Sequence, residues 1–221
     1  MRWLIPALLV PMVIAGACRG GQSESPIEDA DEPSIQLFVS GRALDPFESA
    51  ESDAAVGQIA PVVTGPDLLT GETVQIEPSG RPLVVAFFAH WCPHCQREVA
   101  ALTEWLMANR LPANVDLVAV STFEAPERGN HPPKKWLEDQ GWKYPVIADT
   151  PSHVVADAFG AMSVPYFVFV EADGTIAFRM SGNLGPEQLS IAMKRLAGTS
   201  ILLISNLNEK EACQKVVQVP P

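Results

Sequence analysis

Cysteine is scarce in this chain, and other absences further narrow what the protein can be. Four cysteines among 221 residues are too few for a disulfide-stapled scaffold of this size. Basic residues are outnumbered, with 15 lysines and arginines against 26 acidic residues and a formal net charge of −11. That balance argues against a basic groove for nucleic-acid phosphates, so we expect no nucleic-acid partner. No internal repeat is apparent, and the hydrophobic fraction of 47% is enough for one globular core.

The acidic residues are unevenly distributed along the chain. Residues 18–57 carry nine carboxylates and two arginines and are rich in Ser, Pro and Gly. A stretch without a sustained apolar period cannot bury enough surface to order itself. We therefore predict an acidic flexible linker over residues 18–56, with only transient local order in the short apolar run 35–39.

The first 17 residues have the pattern of an export signal. Arg2 precedes an apolar stretch over residues 3–14, which ends in small residues before Cys18. The stretch is short for a membrane-spanning helix and contains two prolines. Three fates fit: signal-peptidase cleavage, lipid attachment at Cys18 in a lipobox-like Ile-Ala-Gly-Ala-Cys sequence, or retention as an uncleaved anchor. We favour lipid attachment, and all three place the body outside the cytoplasm.

From residue 57 the pattern alternates between strands and helices. Residues 83–88 form a continuous apolar run, as expected of a central strand buried on both faces. A helix to about residue 109 follows, then strand, helix, strand, helix, a strand hairpin and a last helix. Two further short strands precede residue 83 and form an N-terminal β-hairpin. We predict an α/β domain over residues 57–198, with a central mixed β-sheet covered by helices on both faces and a tail over 199–221.

The strongest motif is Trp91-Cys92-Pro93-His94-Cys95, which follows the buried strand and opens the helix. The i, i+3 spacing lets the two sulfurs form a disulfide or separate as thiols. Unpaired N–H groups at the helix N-terminus stabilise a thiolate at Cys92, and a protonated His94 would strengthen that effect. Cys95 lies deeper in the helix and is the natural resolving thiol. The motif therefore predicts thiol-disulfide exchange.

A CxxC pair can also be half of a zinc site. His90 and His94 lie beside the cysteines, but a structural zinc site needs four ligands, usually from two paired elements. Outside this motif the sequence contains no second CxxC or HxxxH pair. We expect no metal and no cofactor other than the redox disulfide. A copper or zinc chaperone that uses His90, Cys92, His94 and Cys95 remains the alternative of another class.

With Val164-Pro165-Tyr166 opening a later strand, the chain resembles the thioredoxin fold, and most of all the TlpA/ResA group of extracytoplasmic thiol-disulfide oxidoreductases. The resemblance runs from about residue 60 to about residue 196. It implies a three-layer sandwich and a cis peptide bond between Val164 and Pro165 that faces the disulfide. It also implies that the Val164 backbone pairs with substrate and that Trp91 shields the sulfurs.

The resemblance also gives Glu98 a role, because it completes a CxxCxxE pattern. A carboxylate there would disfavour thiolates by like-charge repulsion and could relay a proton. Ala86 stands where thioredoxins have a buried aspartate, so that proton route is absent. The Pro93-His94 dipeptide matches the oxidising DsbA group, whereas the framework is that of the reductants, and both directions stay open.

The function that the resemblance implies is that of an exported, membrane-anchored reductase facing the periplasm or the cell exterior. Its substrates would be cysteine-containing proteins such as apocytochrome c, with its haem-binding CxxCH pair. Its electrons would come from a membrane thiol-disulfide carrier. A DsbA-like disulfide-forming oxidase is the alternative. Cys213 in the tail is left as an unassigned thiol.

Overall fold

The computed structural model describes residues 36–109 and 111–198. The export signal, Cys18, residues 18–35 of the predicted linker and the tail with Cys213 lie outside the described residues. In chain order the strands are β1 (Phe38–Ser40), β2 (Val62–Pro66), β3 (Thr73–Ile76), β4 (Leu83–Phe88), β5 (Asp116–Ser121), β6 (Val146–Ala148), β7 (Tyr166–Val170) and β8 (Ile176–Ser181). The α-helices are α1 (Pro93–Ala108), α2 (Pro133–Asp139), α3 (Val154–Ala158) and α4 (Gly185–Leu196).

The central sheet has five strands in the order β6-β5-β4-β7-β8. β4 runs parallel to β5, which is parallel to β6, while β7 is antiparallel to both β4 and β8. β4 lies in the middle, and all six of its residues are buried, which is why its sequence is apolar throughout. The mixed sheet confirms the predicted α/β class.

Helices cover both faces of this sheet, again as predicted. Alternate β4 side chains face one apolar cluster with α1, α2 and α4, and the others face a second cluster with α3 and the N-terminal strands. The apolar side of α1 is buried in the first cluster through Val99, Leu102 and Leu106. Trp136 and Trp142 pack the α2 insert into the same cluster. In the described part of the chain, no helix is long and apolar enough to cross a bilayer.

The prediction of a flexible linker is wrong for residues 36–56, which belong to the folded domain. β1 pairs with β2 and extends the predicted N-terminal hairpin to a three-stranded sheet. Further along, the Leu44 and Phe47 amides donate hydrogen bonds at 2.9 Å to the carbonyls of Ala158, the last residue of α3, and of Gly160 just after it. Leu44 is only 3% exposed. The composition of residues 36–56 indicated a segment that water solvates. Composition does not show that Asp53, an acidic residue of this segment, has a partner far away in sequence.

That partner is Arg179 on β8, which is 126 residues from Asp53 in sequence. Both side chains are 1% exposed and form a two-pronged ion pair. Arg179 Nη1 also donates to the carbonyls of Asp45, at 2.9 Å, and Phe159, at 3.1 Å. The Phe159 carbonyl accepts a second bond from the Tyr166 hydroxyl. The arginine therefore joins the N-terminal segment to the loop that leads into β7.

Burial acts to raise the pKa of Asp53, but the hydrogen bonds from Arg179 and the Ala55 amide outweigh it. The pKa of this carboxyl therefore lies below its usual value. Asp53 stays ionised opposite the guanidinium, as a buried charge must if it is to be compensated. The loop has no room for a side chain at Gly160, where a Cβ would lie 2.3 Å from the Asp45 carbonyl oxygen.

Candidate active site

Cys92 occupies the N-cap position of α1, directly after the turn that follows β4. Its amide closes that turn onto the Ala89 carbonyl at 3.0 Å, and Pro93 takes the first helical position, where a missing N–H costs nothing. The side chain is 7% exposed, and its sulfur lies 3.6 Å from the Val164 carbonyl oxygen. The thiol thus stands over the free amides of the helix N-terminus, which favour an anion.

Cys95 lies one turn further along α1 and is completely buried. The Ala89 amide donates to its sulfur at 3.4 Å. Burial raises the pKa of Cys95 well above its ordinary value, and the nearby Cys92 and Glu98 raise it further. Both cysteines are free thiols in this structure. Cys92 is therefore the more accessible sulfur, and Cys95 is held as a neutral thiol behind it.

Val164 and Pro165 reach the redox pair through strand pairing. β7 runs antiparallel to β4 with Tyr166 opposite Phe87, so the residues before β7 lie beside those that follow β4. The Val164–Pro165 peptide bond is cis, the isomer implied by the resemblance. The arrangement places the half-buried Val164 at the Cys92 sulfur.

Glu98 is only 2% exposed, and both of its oxygens accept hydrogen bonds from the turn before α4 and from its first residue. Asn183 Nδ2 donates to Oε2 at 2.7 Å, and the Gly185 amide donates to Oε1 at 2.8 Å. The carboxylate adds to the raised pKa of Cys95, although less than burial does. Because both oxygens are engaged, a proton relay through Glu98 requires one of these bonds to open.

Asn183 is a site residue that the sequence did not indicate. It follows β8 and is 89 residues from His94 in sequence, but its side chain contacts the imidazole and the backbone of His94. His94 itself is exposed, and its Nδ1 also lies 3.0 Å from an Arg97 guanidinium nitrogen. No local pattern marks an asparagine in a turn as the partner of a distant helix terminus.

Trp91 is held over the site by the loop that follows β5. Its indole Nε1 donates to the Phe123 carbonyl at 2.7 Å, and the Arg128 guanidinium lies 3.8 Å from the ring centroid. The indole of Trp91 therefore makes a hydrogen bond through its N–H group and a cation–π contact through its ring face. Trp91 therefore contributes an ordered aromatic wall next to Cys92.

His90 is hydrogen-bonded to the same loop, the one that follows β5. It is fully buried, its Nδ1 lies 2.8 Å from the Gly129 carbonyl, and its Nε2 accepts from the Ala125 amide at 3.2 Å. A carbonyl only accepts, so Nδ1 carries the proton and both nitrogens are engaged. His90 therefore offers no free nitrogen to a metal ion unless this loop is rearranged.

An open groove of about 480 Å³ lies elsewhere, between β3 and the start of β5. Val74, Leu83 and Leu117 are among its lining residues, and neither cysteine is. The Cys92 sulfur lies outside this groove, with its side chain 7% exposed and beside the Val164 carbonyl.

Comparison with known proteins agrees with this geometry. A sequence model of the AhpC/TSA family matches residues 56–179. The chain is 22% identical over 151 residues to the thiol-disulfide oxidoreductase ResA of Bacillus cereus, covering 68% of this chain and 83% of that protein. It is 24% identical over 152 residues to the thiol:disulfide interchange protein DsbE of Pasteurella multocida, covering 68% and 78% respectively. The crystal structure of a DsbF homologue from Corynebacterium diphtheriae matches with a TM-score of 0.54 at 18% identity, covering 70% of this chain and all of that one.

Proposed function

The chain is a thiol-disulfide oxidoreductase of the AhpC/TSA family, and we propose that it reduces protein disulfides outside the cytoplasm through Cys92 and Cys95. The observation that carries this proposal is the position of the Cys92 sulfur. It lies at the N-terminus of α1, 3.6 Å from the Val164 carbonyl, with the buried Cys95 thiol in the same helical turn.

The proposed reaction has two exchange steps. The Cys92 thiolate attacks one sulfur of a substrate disulfide, forming a mixed disulfide and releasing the other substrate sulfur as a thiolate, which takes up a proton. Cys95 then loses its proton and attacks the Cys92 sulfur. The second substrate thiol leaves, and two electrons have passed from the cysteine pair to the substrate. The raised pKa of Cys95 keeps it protonated until this second step.

The N-terminal residues support a place of action outside the cytoplasm. We propose that the chain is exported, facing the periplasm or the cell exterior, with Cys18 as its lipid attachment site. Suitable substrates are exported proteins with paired cysteines, including the CxxCH of apocytochromes c. A membrane thiol-disulfide carrier then supplies two electrons to the oxidised pair in each cycle. The relatives named ResA and DsbE support the reaction class.

Lipid attachment is tested by labelling. When the full chain is expressed in bacteria with radiolabelled palmitate, we expect label in the protein and recovery in the membrane fraction. Cys18→Ala should remove both, because the thioether-linked lipid needs that sulfur. Cys213→Ala is the matched control and should keep them. Equal labelling of the Cys18→Ala and unchanged chains would contradict lipid attachment at Cys18.

The direction of the reaction depends on the potential of the pair. Burial of Cys95 and the charge of Glu98 both disfavour a thiolate there, so Cys95 adds none of the thiolate stabilisation that makes a disulfide oxidising, and this favours a reductant. We expect a midpoint potential at pH 7 nearer to about −270 mV, as in thioredoxin, than to about −120 mV, as in DsbA. Glu98→Gln should shift it towards oxidising values. Equilibration in dithiol buffers measures both, and a value near −120 mV would instead establish the oxidase.

The metal-chaperone alternative has less support in the geometry. Of the four residues it would use, His90 already has both nitrogens in backbone hydrogen bonds. Metal analysis of the purified full chain tests it. Copper or zinc at one equivalent per chain, lost in Cys92→Ser, would overturn the redox proposal.

A further inference from the structure

Asn183 makes three polar contacts across the mouth of the redox site. Its Nδ2 lies 2.9 Å from the His94 carbonyl oxygen and 2.7 Å from Glu98 Oε2. Its Oδ1 lies 3.0 Å from His94 Nδ1. One amide thus bridges the backbone and imidazole of the residue between the two cysteines and the buried carboxylate behind them.

The two acceptors at Nδ2 decide how the amide is oriented. A backbone carbonyl accepts hydrogen bonds and never donates them, and a carboxylate also only accepts. A flipped amide would bring its oxygen against both, so the NH₂ group must face them. Oδ1 is then the atom that faces the imidazole. Because an amide oxygen only accepts, His94 Nδ1 must carry the proton.

Arg97 competes for the same nitrogen. Its guanidinium, 3.0 Å from His94 Nδ1, only donates, so it could bond only to an Nδ1 without a proton. The two contacts exclude each other. Asn183 prevails because its amide is anchored by two other hydrogen bonds, whereas Arg97 has an exposed, rotatable side chain.

We propose that Asn183 is a positioning residue, which holds the proton of His94 on Nδ1 and leaves Nε2 as the proton acceptor of the site. The proton transfer in this inference rests on the proposed function. In the first exchange step the Cys92 thiol gives its proton to Nε2 as the thiolate attacks, and Nε2 returns it to the departing substrate thiolate. The role differs from the sequence-based expectation, in which a protonated His94 adds positive charge beside Cys92.

The position of the proton can be measured directly. The full reduced chain, labelled with ¹⁵N-histidine, has four histidines, and His94→Gln assigns the signal of His94. Long-range ¹H–¹⁵N correlation at neutral pH distinguishes the two neutral tautomers and the imidazolium. We expect neutral His94 with the proton on Nδ1. Protonation on Nε2, or a charged ring, would overturn the inference.

Two substitutions of Asn183 test its amide. Asn183→Gln keeps both the acceptor oxygen and the donor NH₂ group and should keep the tautomer. Asn183→Leu removes that oxygen and should shift the tautomer ratio towards Nε2–H by about 2- to 12-fold, the range of one ordinary hydrogen bond. An unchanged ratio in Asn183→Leu would contradict the role of Asn183.

The same variants test the proton-acceptor step by single-turnover attack of Cys92 on oxidised glutathione. Asn183→Leu should slow this step by the factor by which the fraction of the Nδ1–H tautomer falls, with partial rescue by Asn183→Gln. A shifted tautomer with an unchanged rate would refute the acceptor role of Nε2 but not the redox function. Absence of exchange in the unaltered chain would refute the proposed function, while the tautomer measurement would still stand.

Discussion

Replacing either cysteine of the pair by serine is expected to stop catalytic reduction of insulin disulfides by dithiothreitol. Both Cys92→Ser and Cys95→Ser should fall to the background rate, a loss of about 100-fold or more, because a serine oxygen can neither attack a disulfide nor be oxidised to one. The two variants fail at different steps. Without Cys92 there is no attacking sulfur, and without Cys95 nothing resolves the mixed disulfide.

Cys213→Ser is the matched control for this prediction. The proposed exchange assigns no role to Cys213, so the variant should turn over at the rate of the unaltered chain. Circular dichroism should show that all three variants keep the fold, since the substitution changes one atom. Substantial turnover in Cys92→Ser would contradict the assignment of the attacking sulfur.

Removing the buried charge of Asp53 is the substitution with the largest expected effect on stability. Asp53→Asn keeps the shape of the side chain but leaves the Arg179 guanidinium, which is 1% exposed, without its anion. Breaking a buried ion pair on one side costs about 3–5 kcal/mol. We expect a loss of this size in the free energy of unfolding measured with urea. The segment that carries Asp53 should also become sensitive to proteolysis.

Two further variants make the test of Asp53 specific. Asp116→Asn breaks the exposed pair with Arg81 and should change stability little, because water solvates both partners. If Asp53→Asn does not fold, the double variant Asp53→Leu/Arg179→Met should, since it removes both buried charges. A cost for Asp53→Asn no larger than that for Asp116→Asn would contradict the anchoring role.

The same ion pair sets a dependence on pH. The pKa of Asp53 is lowered in the folded protein from an ordinary value of 3.8, so the folded state resists protonation of this carboxyl. Its contribution is complete above the unfolded value and is lost as the pH falls through the folded value. The unaltered chain should therefore lose more stability in acid than Asp53→Asn does.

The features that sequence could predict are those encoded locally. The continuous apolar run of β4 indicates a strand buried on both faces, and the CxxC at its end indicates where the chemistry lies. The alternation of strands and helices along the sequence was enough to predict a central sheet with helices on both faces. These signals depend on neighbours within a few residues, which is the range over which periodicity can be recognised.

The features that escaped prediction depend on partners far apart in the chain. Asp53 had the composition of a solvated spacer because its guanidinium lies 126 residues away. In the sequence, Asn183 could not be told from an ordinary turn residue, because its hydrogen-bond acceptors lie far away on α1. In both cases a polar group is ordered by one distant contact, and composition does not record such contacts.

The most direct test of the exchange mechanism is to trap its intermediate. The full Cys95→Ser chain, reduced and mixed with oxidised glutathione, should retain one glutathione per chain at the redox site. Peptide mapping by mass spectrometry under non-reducing conditions should place it on Cys92. The account predicts this adduct in Cys95→Ser and its absence in Cys92→Ser/Cys95→Ser. Glutathione on another cysteine, with Cys92 left as a free thiol, would contradict it.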